Sequence, residues 1–194
     1  MRIGILGGSF DPVHLGHLIL AEQCREQAQL ERVIFMLAPR PPHKLEQEQT
    51  SFHHRQEMLE LALAGETSFE VGLHERDRPG PSYTVDTLTQ LQRDHQEDEL
   101  HLIVGGDTLA DLNNWRDPAG IAERASLVVA GRPGAPTSAI APPFRGQWVT
   151  MPLVEISSRD LRVRASEGRS IRYLVPRAVE CYIQQHGLYG SQRS

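Results

Sequence analysis

The residues best suited to chemistry come first in this chain. The apolar run Ile3 to Leu6 breaks into Gly7-Gly8-Ser9-Phe10-Asp11-Pro12-Val13-His14-Leu15-Gly16-His17, so two glycines, an aromatic ring, a carboxylate and two imidazoles share one short segment. Paired glycines at a strand end let backbone approach a ligand with no Cβ in the way and make φ > 0 accessible. The helix that follows aims unpaired N–H groups and its positive dipole end at any anion placed there. If that helix starts near Pro12 or Val13, His14 and His17 project on the same side of its first turn and face one phosphate together. A glycine turn alone could equally be an ordinary strand-to-helix turn. The full spacing GGSFDPxHxGH is far more restrictive and favours a nucleotide phosphate site.

The elements that must position this turn follow from periodicity. Strand-length apolar runs occur at 3–6, 33–38, 69–73, 100–104, 127–130 and 148–151. Between them lie helical patterns at 15–29, at 52–64 with Ser51 or Thr50 as cap, and at 83–95. The alternation predicts an α/β fold, a Rossmann-like, doubly wound and mainly parallel sheet with a C-terminal helical segment. VIFML and LHLIV are continuous, as strands covered on both faces should be. The final helix begins near Pro176, a residue well suited to the first helical position, and ends at Gly187. We expect one domain over 1–194, with a Rossmann-like core over 1–151 and a helical part over 152–194.

Ligands of such sheets collect outside the carboxyl ends of strands near a topological switch point. The glycine turn, Lys44 after the second strand, Gly105 to Asp107 after the fourth and Arg132 after the fifth should therefore converge. Two loops, 40–50 and 132–146, are rich in Pro with Gln or Gly and lack periodicity. The second reads as a spacer; the first reads as functional because it carries His43 and Lys44.

Composition bounds the partners. The 194 residues carry a formal charge of −5, with 39% hydrophobic and 23% charged residues, as in a soluble globular protein. That charge argues against wholesale nucleic-acid binding. Positive charge is concentrated late, in Arg159, Arg162, Arg164, Arg169, Arg172 and Arg177, which suits anionic small molecules. The acids of 94–99 read as a solvated connection. No apolar run reaches membrane-spanning length and no leader pattern opens the chain, so a cytoplasmic protein is expected. Cys24 and Cys181 are expected to be reduced and buried. No HxxxH or Cys/His ligand set is evident, and the adjacent His53 and His54 point to different sides.

The turn resembles that of the HxGH nucleotidyltransferases, and the rest of the chain is similar to one branch, the bacterial nicotinate-nucleotide adenylyltransferases. The resemblance rests on PRPPHK (39–44), Arg55 and Met58 in RQEM, Ser82-Tyr83-Thr84 with Thr87-Leu88, and Gly105-Gly106-Asp107 with Leu109, Leu112 and Trp115. ISSRDLR (156–162) and the ending from Val175-Pro176 through Val179, Tyr182-Ile183, Leu188 and Tyr189 complete it. It implies transfer of AMP from ATP to the 5′-phosphate of nicotinate mononucleotide with release of pyrophosphate, in NAD biosynthesis. The attacking phosphate oxygen is already anionic, so neither a general base nor a covalent intermediate is required.

The resemblance also implies roles. His17 contacts the α-phosphoryl oxygens in the transition state, while His14 and the backbone of Gly7, Gly8, Ser9 and Phe10 orient ATP. Lys44 and Arg162 clamp phosphates. Gly105, Asp107, Arg132, Ile156, Ser157 and Ser158 complete the ATP side, with Asp107 either accepting from a ribose hydroxyl or capping a helix. A helix capped by Ser157 or Ser158, with Arg162 one turn on, suits the β and γ phosphates, although the serines alone would satisfy a plain capping box. Trp115 stacks on the nicotinate ring, against a core reading from its helix-like spacing, and Tyr83 and Thr84 hold the carboxylate end. Lys44 also serves that nucleotide. Magnesium is expected to arrive with ATP rather than in a protein cage. The chain departs from the family's commonest pattern at Arg159, Ser9 and Gly106; only Arg159 puts a contact in doubt. The alternatives are another phosphorylated acceptor, phosphopantetheine or nicotinamide mononucleotide, a cytidylyl donor, or a silent nucleotide-binding protein. A class I aminoacyl-tRNA synthetase fragment is disfavoured by length and by the lack of a KMSKS-like segment. An oligomer of identical chains is compatible with the sequence.

Overall fold

The computed structural model describes residues 1–39, 49–78, 80–131, 134 and 139–191. Six strands form one sheet in the order β3-β2-β1-β4-β5-β6, and every pairing is parallel. They are β1 (Arg2–Gly8), β2 (Arg32–Leu37), β3 (Phe69–Gly72), β4 (Glu99–Gly105), β5 (Ala125–Gly131) and β6 (Gly146–Thr150). The helices are α1 (Leu15–Gln27), α2 (Phe52–Leu63), α3 (Thr84–Asp94), α4 (Gly106–Leu109), α5 (Pro118–Arg124), α6 (Ser158–Ser166) and α7 (Arg177–His186). The chain steps outward from β1 to β3, then returns to lay β4 on the other side of β1. Strand order therefore reverses between β1 and β4, the point at whose carboxyl ends open sheets of this kind take their ligands.

Alternation along β2 shows how the sheet is covered on both faces. Val33, Phe35 and Leu37 enter one apolar layer with Ala21 and Cys24 of α1, Met58, Leu59 and Leu63 of α2, and Val179 and Ile183 of α7. Ile34 and Met36 enter the other layer with Val85, Leu88 and Leu91 of α3 and Ile121 of α5. The period of two sends neighbouring residues to opposite faces, and both faces are dry, which is why the run reads as continuously apolar.

Several boundaries differ from the sequence expectation. α1 starts at Leu15, as the helical pattern at 15–29 predicts, and His14 is its N-cap residue in an extended conformation (φ −145°, ψ 169°), so the alternative start near Pro12 or Val13 does not hold. The chain stays non-helical through Val13 because it is burying Phe10 and Val13 in the first core layer. α7 begins beside Pro176 as expected, with Pro176 as its N-cap residue and not its first helical one, and Gly187 ends that helix at φ 59°. The spacing of Leu109, Leu112 and Trp115 is split between α4 and a 3₁₀ turn, Leu112–Asn114, with only Leu112 fully buried. α5 is additional; Asp117 accepts from the Gly120 N–H and Pro118 opens it. The acidic connection 94–99 is largely exposed as expected, and within it the Asp98 carboxylate pairs with His95 Nδ1 at 3.2 Å and with the Met1 amine at 2.7 Å. Both cysteines are free thiols, but Cys181 is exposed.

Phe35 joins the sheet to the site. Its fully buried ring stands 5.6 Å from the ring of Phe10 and 5.4 Å from that of Phe69. Phe35→Ala should lower the unfolding free energy by about 3–5 kcal/mol, the cost of a buried aromatic cavity, as read from urea denaturation.

Candidate active site

The phosphate turn is built by packing as much as by backbone freedom. After β1, Phe10 takes a left-handed conformation (φ 45°) and its ring folds back under the strand end, 2% exposed. A Cβ on Gly8 would lie 2.9 Å from that ring, so the second glycine makes room for Phe10. A Cβ on Gly7 or on Gly105 would meet nothing within 4 Å. Neither of these two has a positive φ, so no contact within the described residues demands glycine there. They leave bare backbone at the two strand ends that flank the switch of strand order.

The imidazole pair is stacked. The rings of His14 and His17 lie 3.7 Å apart at 24°, and the edge of Phe10 meets His17 at 5.1 Å. The His14 backbone N–H donates to His17 Nδ1 at 3.2 Å, so that nitrogen is an acceptor and the neutral ring carries its hydrogen on Nε2. His14 is buried, and desolvation pushes its pKa from about 6.5 down to about 4. It is therefore neutral at physiological pH. Gly16 explains how the ring fits, since a Cβ there would stand 3.0 Å from His14 Nδ1.

Three distant segments brace the turn. The Arg162 guanidinium on α6 donates to the Asp11 carbonyl at 2.8 Å, and the Ser158 hydroxyl donates to the Pro12 carbonyl at 2.9 Å. The buried Asp11 carboxylate accepts from the Tyr189 hydroxyl at 2.6 Å and from the Thr50 N–H at 3.2 Å. Burial and the Asp11 charge raise the Tyr189 phenol well above its ordinary range, so it stays a donor. Arg55 of α2 reaches the Ser9 carbonyl at 2.8 Å. Arg162, His14 and His17 thus gather on one side of the molecule, around the carboxyl end of β1.

The remaining expected residues fall into two groups. Ser157 caps α6, accepting from the Asp160 N–H at 3.1 Å, with Ile156 packed beneath it and Arg159 exposed. Asp107 is exposed in the first turn of α4, whose N-cap is Gly105, so the capping alternative for Asp107 does not hold. Tyr83 is the N-cap residue of α3 and Thr84 its first residue, which leaves the first N–H groups of α3 outside its own ladder. Trp115 is half-buried at the margin of the second apolar layer, together with Tyr83 and Leu109. It is neither sealed in the core nor free of it. Lys44, His43 and Arg132 lie outside the described residues.

Four residues of this region received no role from sequence reasoning. They are Asp11, Arg55, Tyr189 and Arg116, whose guanidinium lies 4.5 Å over the Tyr83 ring and 3.9 Å from Asp86. One signal was available: Arg55 shares a helical stripe with Met58, Leu59 and Leu63, an unusual place for a cation.

Known proteins are similar to this chain along nearly its whole length. The model of the cytidylyltransferase-like family matches residues 5–164. The chain is 48% identical to a probable nicotinate-nucleotide adenylyltransferase of Thermomicrobium roseum, over 97% of this chain and 91% of that one. It is 49% identical to the protein of the same description from Thermus thermophilus, over 97% of this chain and 100% of that one. A solved structure of Plasmodium falciparum nicotinic acid mononucleotide adenylyltransferase complexed with NaAD has the same fold, with TM-score 0.80 and 18% identity, covering 100% of this chain and 99% of that one. Among the described residues no helix is long and apolar enough to cross a membrane.

Burial of His14 has a consequence for acid stability. Above about pH 6.5 the ring is neutral in both the folded and the unfolded chain and has no effect. Between about 6.5 and 4 the unfolded chain binds a proton that the folded site refuses, so stability falls as the pH drops through that window. His14→Gln should flatten the fall relative to the parent protein when urea unfolding is repeated across that range; identical slopes would contradict the assignment.

Proposed function

The chain belongs to the cytidylyltransferase-like family and, within it, to the nicotinate-nucleotide adenylyltransferases, and from that premise we propose that it transfers the adenylyl group of ATP to nicotinate mononucleotide. The observation that carries the reading is the gathering of His14, His17 and Arg162 on the glycine turn, where β1 and β4 part at the switch of strand order. The acceptor's phosphate oxygen attacks the α-phosphorus, the bond from that phosphorus to the bridging oxygen breaks, and pyrophosphate leaves with the electron pair. The chain's task is to bring two anions together and to stabilise the charge spread over the α-phosphate.

The proposed parts draw on the described surroundings of the turn and of α6, and on the family resemblance for Lys44, Arg132, Trp115, Tyr83 and Thr84. His17, its Nδ1 occupied, presents Nε2–H to the α-phosphoryl oxygens. His14 supports ATP as a neutral donor. The bare backbone at Gly7 and Gly8 lies against the triphosphate, with Ser9 and Phe10 shaping the turn. Arg162 spends one N–H on Asp11 and offers the others to the β and γ phosphates, beside the N-terminus of α6 with Ile156, Ser157 and Ser158. Lys44 clamps phosphate from the segment after β2, and serves the acceptor as well. Gly105, Asp107 and Arg132 line the adenosine side; Trp115 stacks on the nicotinate ring while Tyr83 and Thr84 hold its carboxylate. Among the described residues no group of three or more His, Cys, Asp or Glu side chains is arranged to hold a metal. Magnesium, which would neutralise part of the triphosphate charge, fits as an ion held by phosphate oxygens and water. A cytoplasmic location suits a reaction between these soluble nucleotides.

Pyrophosphate release is the assay. With ATP, nicotinate mononucleotide should be turned over faster than nicotinamide mononucleotide or phosphopantetheine; failure to release pyrophosphate with any of the three acceptors would support a silent nucleotide-binding protein instead. His17→Ala should lower kcat by on the order of 10²–10³, the scale for losing one preorganised donor. Arg162→Ala should raise the KM for ATP, and an unchanged KM would reduce Arg162 to a brace of the turn.

A further inference from the structure

Behind the phosphate turn lies a guanidinium that is 2% exposed. Arg55 sits on the core face of α2, and each of its nitrogens meets main-chain carbonyls. Nη1 donates to Ser9 at 2.8 Å and to Ala38 at 2.9 Å, Nη2 to Pro39 at 3.4 Å, and Nε to Thr50 at 3.0 Å. Ser9 belongs to the phosphate turn. Ala38 and Pro39 follow β2, and Thr50 precedes α2. One planar group therefore pins three stretches of backbone, and two of them flank the segment 40–48, in which the sequence places Lys44.

Cohesion alone would not call for such a residue. A buried cation carries a desolvation penalty that a well-packed apolar side chain at the same site avoids. What the guanidinium supplies is direction, because its donors are fixed in one plane and reach carbonyls from several segments at once. Lysine keeps the charge but offers a single nitrogen and cannot reproduce that spread. The geometry assigns Arg55 as a positioning residue for adenylyl transfer, one that holds the phosphate turn in register with both ends of the segment bearing Lys44. This assignment rests on the activity proposed above. In-line displacement needs near-attack geometry, and a misplacement of about 1 Å can cost on the order of 10² in rate.

The test is a double-mutant cycle on kcat for pyrophosphate release from ATP and nicotinate mononucleotide. It compares the parent protein, Arg55→Lys, Lys44→Ala and the double variant, with thermal unfolding of each. Arg55→Lys is expected to stay folded at the assay temperature, to lose on the order of 10–10² in kcat, and to change the KM for ATP far less. In the Lys44→Ala background the same substitution should cost at least about threefold less, because coupled sites are not additive. Multiplicative effects, or activity that falls only in step with the folded fraction, would overturn the assignment. If Arg55→Lys does not fold, Arg55→Gln enters the same cycle; unfolding of both makes Arg55 a folding residue and overturns it too. A parent protein that releases no pyrophosphate would instead refute the activity itself, before any variant is compared.

Discussion

The structure depends on keeping an irregular stretch of backbone, from Gly8 to His14, in one conformation. That stretch cannot hold itself: it contains a left-handed phenylalanine, a buried aspartate and a proline, and it makes neither helix nor sheet after β1 ends. Its carbonyls are instead claimed by side chains from elsewhere in the chain. Arg55 takes Ser9, Arg162 takes Asp11, and Ser158 takes Pro12, while Tyr189 and the Thr50 N–H hold the Asp11 carboxylate. These partners lie 39 to 178 residues away from the turn along the chain, so it is fixed only when the whole fold is formed. Buried polar groups that are fully paired give rigidity at little net stability, and rigidity is what an in-line reaction between anions needs.

The same constraint explains the electrostatics. Two imidazoles stacked at 3.7 Å cannot both be charged without strong repulsion, and burial decides that His14 stays neutral. Fixed charge beside the turn comes from guanidinium on the α6 side, where Arg162 braces the Asp11 carbonyl. A net charge of −5 over the chain is no obstacle, because anionic ligands respond to the local field at the strand ends.

Much of this was legible in the sequence, for physical reasons that differ by element. β2 and β4 could be read because both sheet faces are covered, and α2 and α7 because cap and stop residues bracket their apolar stripes. The turn could be read because its residue types and spacing serve few other purposes. The start of α1 at Leu15 could be read from its periodic pattern, whereas the extended backbone of His14 and the burial of Phe10 and Val13 just before it could not. Asp11, Arg55 and Tyr189 could not be assigned from sequence, as their meaning lies in partners far away along the chain. The split of the Leu109, Leu112 and Trp115 series is a similar case: local spacing looks helical, but the second apolar layer keeps only Leu112.

The most direct measurement is the imidazole nitrogen resonances of His17, recorded by NMR with and without a non-hydrolysable ATP analogue. The account predicts a neutral ring protonated on Nε2 near neutral pH, with the Nε2 signal shifting as the analogue's phosphates accept from it. A hydrogen found on Nδ1, or an Nε2 signal indifferent to the analogue, would contradict it.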